Sequence, residues 1–351
     1  MKEFLLYGAN GYTGSLIAHA AVDQGLHPIL AGRNPAQIET LAQQLKLESR
    51  IAALDDPNAL DQLLKDVPVV LHAAGPYAYT AKPMVDACLR NRVHYLDITG
   101  EISVFEALAQ RNEEARRAGV MLLPGAGFDV VPSDNLAAHL KRRLPSATRL
   151  SLAIRSLSRI SRGTAITMLE TIGRGEGGLV RKQGKLTPVP MAWKTRDVDF
   201  GRGVRPTVTI PWGDVSTAYY STGIPDIEVY MAFSPVMIQG MRAGRYVGWM
   251  LQAPGVKTGL KAWVRSGQPG PTPEERAAGK SYLWGQVEDD EGNAAESRLI
   301  TQEGYTLTML TALRITRNVL AGQVKIGFQT PSTAYGPDLI MEIPGVVRTD
   351  L

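Results

Sequence analysis

Along its first 145 residues the chain alternates short apolar runs with segments whose apolar positions recur every three to four residues. The short runs read as buried strands and the longer period as amphipathic helices. Strands are expected near Glu3–Tyr7, His27–Ala31, Arg50–Ala53, Val67–His72, Val93–Asp97 and Val120–Leu123. Helices are expected between them near Gly14–Gln24, Pro35–Lys46, Asn58–Lys65, Lys82–Asn91, Val104–Ala118 and Ser133–Leu144. Asn34 before Pro35 offers a cap and a first-turn proline, and Ser133 offers a cap for the helix from Asp134. Strands joined by crossover helices lie parallel and are covered on both faces, so the pattern predicts an α/β fold with a Rossmann-type doubly wound parallel sheet of about six strands.

After Pro145 the pattern changes to longer alternating runs with Gly- and Pro-rich turns, as in Arg149–Arg155, Thr207–Ile210 and Glu228–Phe233. A hairpin is expected between Leu283–Val287 and Ala295–Ile300 around Asp290-Glu291-Gly292-Asn293, followed by a helix over Gly304–Leu320. Gly175, Gly177 and Gly178 interrupt what would otherwise be a helix from Thr164 to Leu179. These features predict a second, α+β domain with an antiparallel sheet. The expected boundaries are 1–145, 146–330, and a segment 331–351 returning to the first domain.

Composition adds exclusions. The chain has 351 residues, enough for two ordinary domains, and its single thiol, Cys88, rules out an internal disulfide and a cysteine-based zinc knuckle. No metal is expected. The apolar run Phe4–Tyr7 is shorter than a signal-peptide core, and no stretch is long and apolar enough to span a bilayer, so the expected location is cytoplasmic. Net charge is only +4, yet Lys141–Arg205 holds 15 Lys or Arg against Glu170, Glu176, Asp197 and Asp199, which makes +11 there and −7 elsewhere. That segment is either a solvated face balanced by distant acids or a rim that attracts an anion such as a cofactor phosphate, a carboxylate or a carrier's phosphopantetheine. It contains no nucleic-acid motif, and nucleic acid is not an expected partner.

The chemistry begins where the first strand ends. Gly8-Ala9-Asn10-Gly11-Tyr12-Thr13-Gly14 is a G-x-x-G-x-x-G turn running into a helix. A pyrophosphate rests against a helix N-terminus, where free N–H groups and the helix dipole favour anions, and side chains in the turn would hold it away. Gly8 would make the turn, Gly11 permit close approach, and Gly14 let helix and strand pack, with Asn10, Tyr12 and Thr13 completing the loop. At the end of the second strand, a site for NAD would carry Asp or Glu for the ribose 2′-hydroxyl. Here Ala31-Gly32-Arg33-Asn34 carries a guanidinium instead, which suits a 2′-phosphate and predicts NADP(H). Asp55 is either a contact to the adenine amine or a helix cap before Pro57. Ala74 and Gly75, after the fourth strand, and Thr99 and Gly100, after the fifth, are expected beside the cofactor. His72 reads as a packed strand residue, whereas Tyr77 leaves the strand where a nicotinamide would lie and is a candidate catalytic residue.

These motifs resemble those of the saccharopine dehydrogenase-like oxidoreductases, especially the branch of trans-acting enoyl reductases. The resemblance rests on Gly8–Gly14, Ala31–Asn34, Ala74–Tyr77, Tyr95-Leu-Asp-Ile-Thr-Gly-Glu101 and Pro124-Gly-Ala-Gly-Phe-Asp-Val-Val-Pro-Ser-Asp134. It continues through Pro211-Trp-Gly-Asp214, Ser221–Pro225, Glu303-Gly-Tyr305 and Gly327–Pro331. It implies an NADP-dependent oxidoreductase with a substrate domain over the cofactor, acting on a C=C or C=N bond of a small, lipophilic or acidic metabolite. The alternatives are an imine-forming amino-acid dehydrogenase of the saccharopine type and a non-catalytic NADP-binding sensor.

Hydride transfer asks for few protein groups, so the proton donor is hard to read. Asp129 after the sixth strand is one candidate, with a backbone-bonded turn residue as the alternative. Asp97 and Glu101 read as structural. Asp214, five residues before Tyr219, is a candidate substrate contact with that tyrosine, which would also supply a proton; the alternative is a strand-end turn followed by aromatic packing. Met231, Met237, Met241, Trp249, Met250 and Trp263, interspersed with Arg242, Arg245 and Lys257, read as core or as an adaptable apolar lining. The partners expected are a small-molecule substrate, a weak membrane or carrier association and a homodimer.

Overall fold

The computed structural model describes residues 3–156, 161–163, 165–166, 177–247 and 254–351. They divide into two units, Met1–Val131 with Tyr305–Tyr335, and Pro132–Gly304 with Gly336–Leu351. The boundary expected after residue 145 therefore falls after Val131. The returning segment is 305–335 rather than 331–351, whose last sixteen residues stay with the second unit. Pattern alone misplaces it because a helix at 304–320 satisfies the same periodicity in either unit.

The first unit is a seven-stranded sheet. Its strands are β1 (Leu5–Tyr7), β2 (Ile29–Gly32), β3 (Ser49–Ile51), β4 (Val69–His72), β5 (His94–Asp97), β6 (Met121–Leu123) and, late in the chain, β15 (Gly327–Phe328). Their order is β15-β6-β5-β4-β1-β2-β3 with every pairing parallel. Sequence reversal at β1 and β4 is the topological switch point, where the crevice at the carboxyl ends of the strands opens. The crossovers are α1 (Tyr12–Asp23), α2 (Pro35–Leu45), α3 (Pro57–Leu63), α4 (Tyr77–Asn91), α5 (Ile102–Gln110) and α6 (Asn112–Ala118). Strands β1, β2 and β4 are buried along their whole length, as continuous apolar runs between two helical layers must be. The helix expected over Val104–Ala118 is two helices broken at Arg111, and α4 starts five residues earlier than the pattern implied, at Tyr77. Helix α12 (Gly304–Leu320) has the predicted limits and, from Tyr305 on, belongs to this unit.

The second unit begins with α7 (Val131–Arg143), so Ser133 lies inside the first turn rather than capping it. Its nine-stranded sheet follows the path β10-β11-β12-β7-β13-β14-β16, with β8 and β9 off the edge. The strands are β7 (Arg149–Ser156), β8 (Gly178–Lys182), β9 (Lys185–Val189), β10 (Thr195–Asp199), β11 (Val204–Thr209), β12 (Asp226–Ala232), β13 (Lys280–Glu288), β14 (Ala294–Gln302) and β16 (Val347–Asp350). The hairpin β13–β14 forms as expected, but the sheet is mixed, because β12 pairs with β7 in parallel. One face packs on α7, where Gly285 lets Leu140 and Leu136 approach. The other carries Tyr230, Tyr282, Trp284 and Phe200 in one buried cluster. Remaining helices are α8 (Asp214–Thr222), α9 (Pro235–Val247), α10 (Pro254–Ser266), α11 (Pro273–Ala278) and, in the first unit, α13 (Pro331–Tyr335). Most of the interrupted 164–179 segment lies outside the described residues, although Gly177 is described and Gly178 opens β8.

Candidate functional site

At the carboxyl edge of the first sheet, the glycine turn is held by backbone contacts that leave no room for side chains. Gly8 has φ +84°, and a Cβ there would sit 2.8 Å from Ala74 Cβ. A Cβ on Gly14 would sit 2.2 Å from the Gly8 carbonyl oxygen. Both positions are closed to any other residue. Gly11 differs: it is exposed in extended backbone at the N-cap of α1, and a Cβ would lie 3.3 Å from Gly8 O. No side chain caps α1, so its N-terminal N–H groups face the crevice for an incoming anion.

The end of β2 is equally open. Arg33 is exposed at the end of β2, close enough to Tyr7 to oppose the rise in its phenol pKa, which burial drives to about 12. Asn34 accepts a hydrogen bond from Gln37 N–H, and the Gln37 side chain accepts one from Asn10 Nδ2 at 2.6 Å. The turn and the head of α2 are thereby tied together beside the guanidinium. Asp55 is exposed nearby, but the helix cap before Pro57 is Asp56, which accepts from Asn58 and Ala59 N–H.

The deeper part of the crevice is organised by Asp97. Its fully buried carboxylate accepts from Thr99 N–H (2.9 Å), Gly125 N–H (2.8 Å) and the Tyr95 hydroxyl (2.7 Å), joining the loops after β5 and β6. Burial raises its pKa to about 6. Thr99 accepts from Glu101 N–H, and the Glu101 carboxylate accepts from the N–H groups of Tyr77 and Ala78, capping the start of α4. Gly100 gives space to Asp129, whose carboxylate oxygen would be 2.8 Å from a Cβ added there. Asp129 is half-buried in the loop after β6, and burial raises it to about 6 as well.

Tyr77 is bonded at the carboxyl end of β4. Its hydroxyl donates to the His72 carbonyl at 3.2 Å, its ring meets His72 edge-on, and burial pushes its pKa well above the ordinary phenol value. It is the first residue of α4 and packs beside His72. His72 is a core residue: it is stacked on Tyr7, bonded to Thr80, and held neutral by burial, with a pKa near 3.

Two residues that pattern assigned to the other domain also shape this loop. Thr308 Oγ1 accepts from Phe128 N–H, and Thr311 Oγ1 donates to the Ala126 carbonyl, both from α12. The signal available in the sequence was a pair of threonines on an apolar helix face; what placed them was a contact across 180 residues or more. Tyr305 at the head of α12 meets Tyr12 edge-on at 5.1 Å.

In the second unit, Asp214 and Tyr219 do not pair. Both lie on α8, and a five-residue spacing puts them about 140° apart around the axis. Asp214 is buried at the helix start, while Tyr219 lies against the Arg181 guanidinium, 4.3 Å from its ring centre, and meets Tyr220 edge-on. Four cations of the basic segment pair with acids farther along the chain: Arg142 with Asp338, Arg143 with Asp350, Arg149 with Asp290 and Glu288, and Lys194 with Glu228. Other cations in it lie over aromatic rings, Lys182 over Trp193 and Arg196 over Trp284. Arg159 and Arg174 lie outside the described residues.

A parallel sheet of order 3-2-1-4-5-6, a glycine turn with no space for side chains and an uncapped helix start at its switch point define a dinucleotide-binding domain. Residues 4–123 match the saccharopine dehydrogenase NADP binding domain family. The first unit is similar to that family over those residues, and its cofactor is NADP(H). Over 219 residues the chain is 24% identical to a human saccharopine dehydrogenase-like oxidoreductase, covering 57% of this chain and 46% of that protein. It is 32% identical over 149 residues to a trans-acting enoyl reductase of Mycobacterium ulcerans, covering 40% of this chain and 36% of the relative. The chain spans less than half the length of these curated relatives. Apo saccharopine dehydrogenase (L-Glu forming) from Saccharomyces cerevisiae has the same fold over the full length of both chains, with a TM-score of 0.68 at 14% identity.

One consequence concerns the 2′-phosphate. Arg33→Ala is expected to weaken NADPH binding by about 1–3 kcal/mol, the worth of lost charge-assisted hydrogen bonds, and to leave NADH nearly untouched. Fluorescence titration with the two cofactors checks this; equal weakening of both removes Arg33 from the phosphate.

Proposed function

We propose that the protein is an NADPH-dependent reductase of a C=C or C=N bond in a small, lipophilic or acidic metabolite, with the second unit carrying the substrate determinants and the cytoplasm as its location. Among the described residues, no helix is long and apolar enough to cross a membrane. The observation that carries the proposal is the crevice itself: a cradle closed to any side chain at Gly8 and Gly14, an exposed Arg33, and Asp129 with its pKa near 6 over Gly100. NADPH supplies the hydride when bound; the protein's own residues orient it, exclude water and handle one proton. Gly8, Gly11 and Gly14 admit the pyrophosphate, Arg33 with Asn34 and Gln37 faces the 2′-phosphate, and Ala74, Gly75, Thr99 and Gly100 keep the deeper crevice narrow. A carboxyl group near pH 6 is partly protonated in the physiological range, so Asp129 can deliver a proton to the atom that gains charge. The relatives named as oxidoreductase and enoyl reductase support this class of chemistry.

NADPH oxidation measured against panels of enoyl, imine and keto compounds tests the proposal. Tight NADPH binding with no turnover on any panel would favour a sensor module instead. Asp129→Asn is expected to lower kcat by about 10²–10⁴-fold and to remove a pH limb near 6 from the rate profile, with NADPH affinity preserved. Unchanged kcat removes Asp129 from the proton path.

A further inference from the structure

Most large apolar side chains exposed in the first unit stand singly, as is usual for a protein surface. In the second unit four of them fall on two helices consecutive among the described residues: Val236 and Met237 on α9, and Val256 and Trp263 on α10. Val236 is 81% exposed and Trp263 is 74% exposed. On α9 the inward face is already satisfied, since Ile238 is buried against Val208 and Ala192 with Met241 alongside. Val236 and Met237 are apolar beyond what that packing requires. On α10, Val256, Leu260 and Trp263 follow the spacing i, i+4, i+7, which aligns them along one face of the helix. This is the face that a folded domain normally turns inward, and here its two ends stand in solvent.

Charge identifies the occupant. From Val229 to Pro273 the sequence carries Arg242, Arg245, Lys257, Lys261 and Arg265 and neither Asp nor Glu. A second copy of this segment would bring like charges together, so self-association through it is opposed. Each helix has 13 residues, about 20 Å, which is too short to span a bilayer. Apolar residues with an exposed tryptophan, set in an acid-free basic segment, have the character of helices that lie in the headgroup region of an anionic membrane. Of the residues named for this stretch from the sequence, Trp249 and Met250 lie outside the described residues, as do the side chains of Arg245 and Lys257. Met231 is half-buried in β12. We infer that α9 and α10 form a peripheral docking surface for an anionic phospholipid bilayer, inserted through Val236, Met237, Val256 and Trp263.

Co-sedimentation of the full chain with vesicles tests this. The protein is expected to pellet with phosphatidylcholine vesicles containing phosphatidylglycerol, far less with phosphatidylcholine alone, and to be released as salt rises. Trp263→Asp combined with Val256→Asp should reduce binding by about tenfold or more, with unchanged circular dichroism and NADPH affinity. If that double variant loses its fold, Trp263→Ser replaces it and the salt series on the unaltered chain still decides. Failure of the unaltered chain to pellet with anionic vesicles overturns the inference. So does undiminished binding of the folded variants, or a dimer in solution that the same substitutions dissociate.

Discussion

Asp97→Ala is expected to destabilise the protein by about 3–5 kcal/mol, because it strands three buried donors at once. Thr99 N–H, Gly125 N–H and the Tyr95 hydroxyl all point at this carboxylate, and it sits where no water can replace it. Asp97→Asn keeps an acceptor oxygen for the two N–H groups and should cost much less. The two variants also separate by pH. The carboxyl pKa rises from 3.8 to about 6 on folding. The folded state therefore binds the proton more tightly, and the stability this group contributes is fully present below pH 3.8 and lost as pH rises through 6. Asp97→Asn removes that dependence, so its stability relative to the unaltered protein should climb by up to about 3 kcal/mol between pH 4 and 6. Urea unfolding across that range measures it; a constant difference would mean that Asp97 is not buried as a titrating group. Because the carboxylate ties the loops after β5 and β6 together, Asp97→Ala should also weaken NADPH in whatever protein remains folded.

Gly11→Val is expected to reduce affinity for both NADPH and NADH by about 100-fold or more while the protein stays folded. The contrast with its neighbours makes this informative. A side chain at Gly8 or Gly14 strikes Ala74 or the Gly8 carbonyl and damages the turn itself. Gly11 lies in extended backbone, and a Cβ there meets only Gly8 O, at 3.3 Å, so a shift of a few tenths of an ångström is expected to accommodate it. What the turn does not accommodate is a branched side chain where a pyrophosphate must approach the N-terminus of α1. Calorimetric titration with both cofactors checks the loss, and retained affinity would place the pyrophosphate away from this turn. Unlike Arg33→Ala, which discriminates between cofactors, this substitution should remove both.

The legible part of the protein was local. Continuous apolar runs such as Val69–His72 can only be strands buried on both faces, and each was followed by a helical period, so the parallel sheet and its order of elements were readable. Gly8, Gly11, Gly14 and Arg33 stand out in the sequence because the chemistry of a pyrophosphate and a 2′-phosphate restricts which residues stand at those offsets from a strand end; the structure adds the lack of space around Gly8 and Gly14. The assignment of Asp97 and Glu101 to structural work also followed from their place beside a turn. Periodicity places the start of α4 at Lys82, whereas the helix starts five residues earlier at Tyr77, whose hydroxyl bonds the His72 carbonyl. The pairing of Asp214 with Tyr219 was not readable from spacing alone, because it depends on the element that carries them, and on α8 the two point about 140° apart.

The sequence by itself determined the class of the first domain, its cofactor chemistry and the glycines that make room for it, since each depends on residues a few positions apart. Only the tertiary structure decided that α12 and β15 return to that domain, that Thr308 and Thr311 brace the Asp129 loop, and that β12 and β7 pair in parallel. It also paired Arg142, Arg143, Arg149 and Lys194 of the basic segment with acids that include Asp338 and Asp350. These contacts join residues far apart in the chain, and hydrophobic period, which reports only which face of an element is apolar, carries no information about which distant element will cover it.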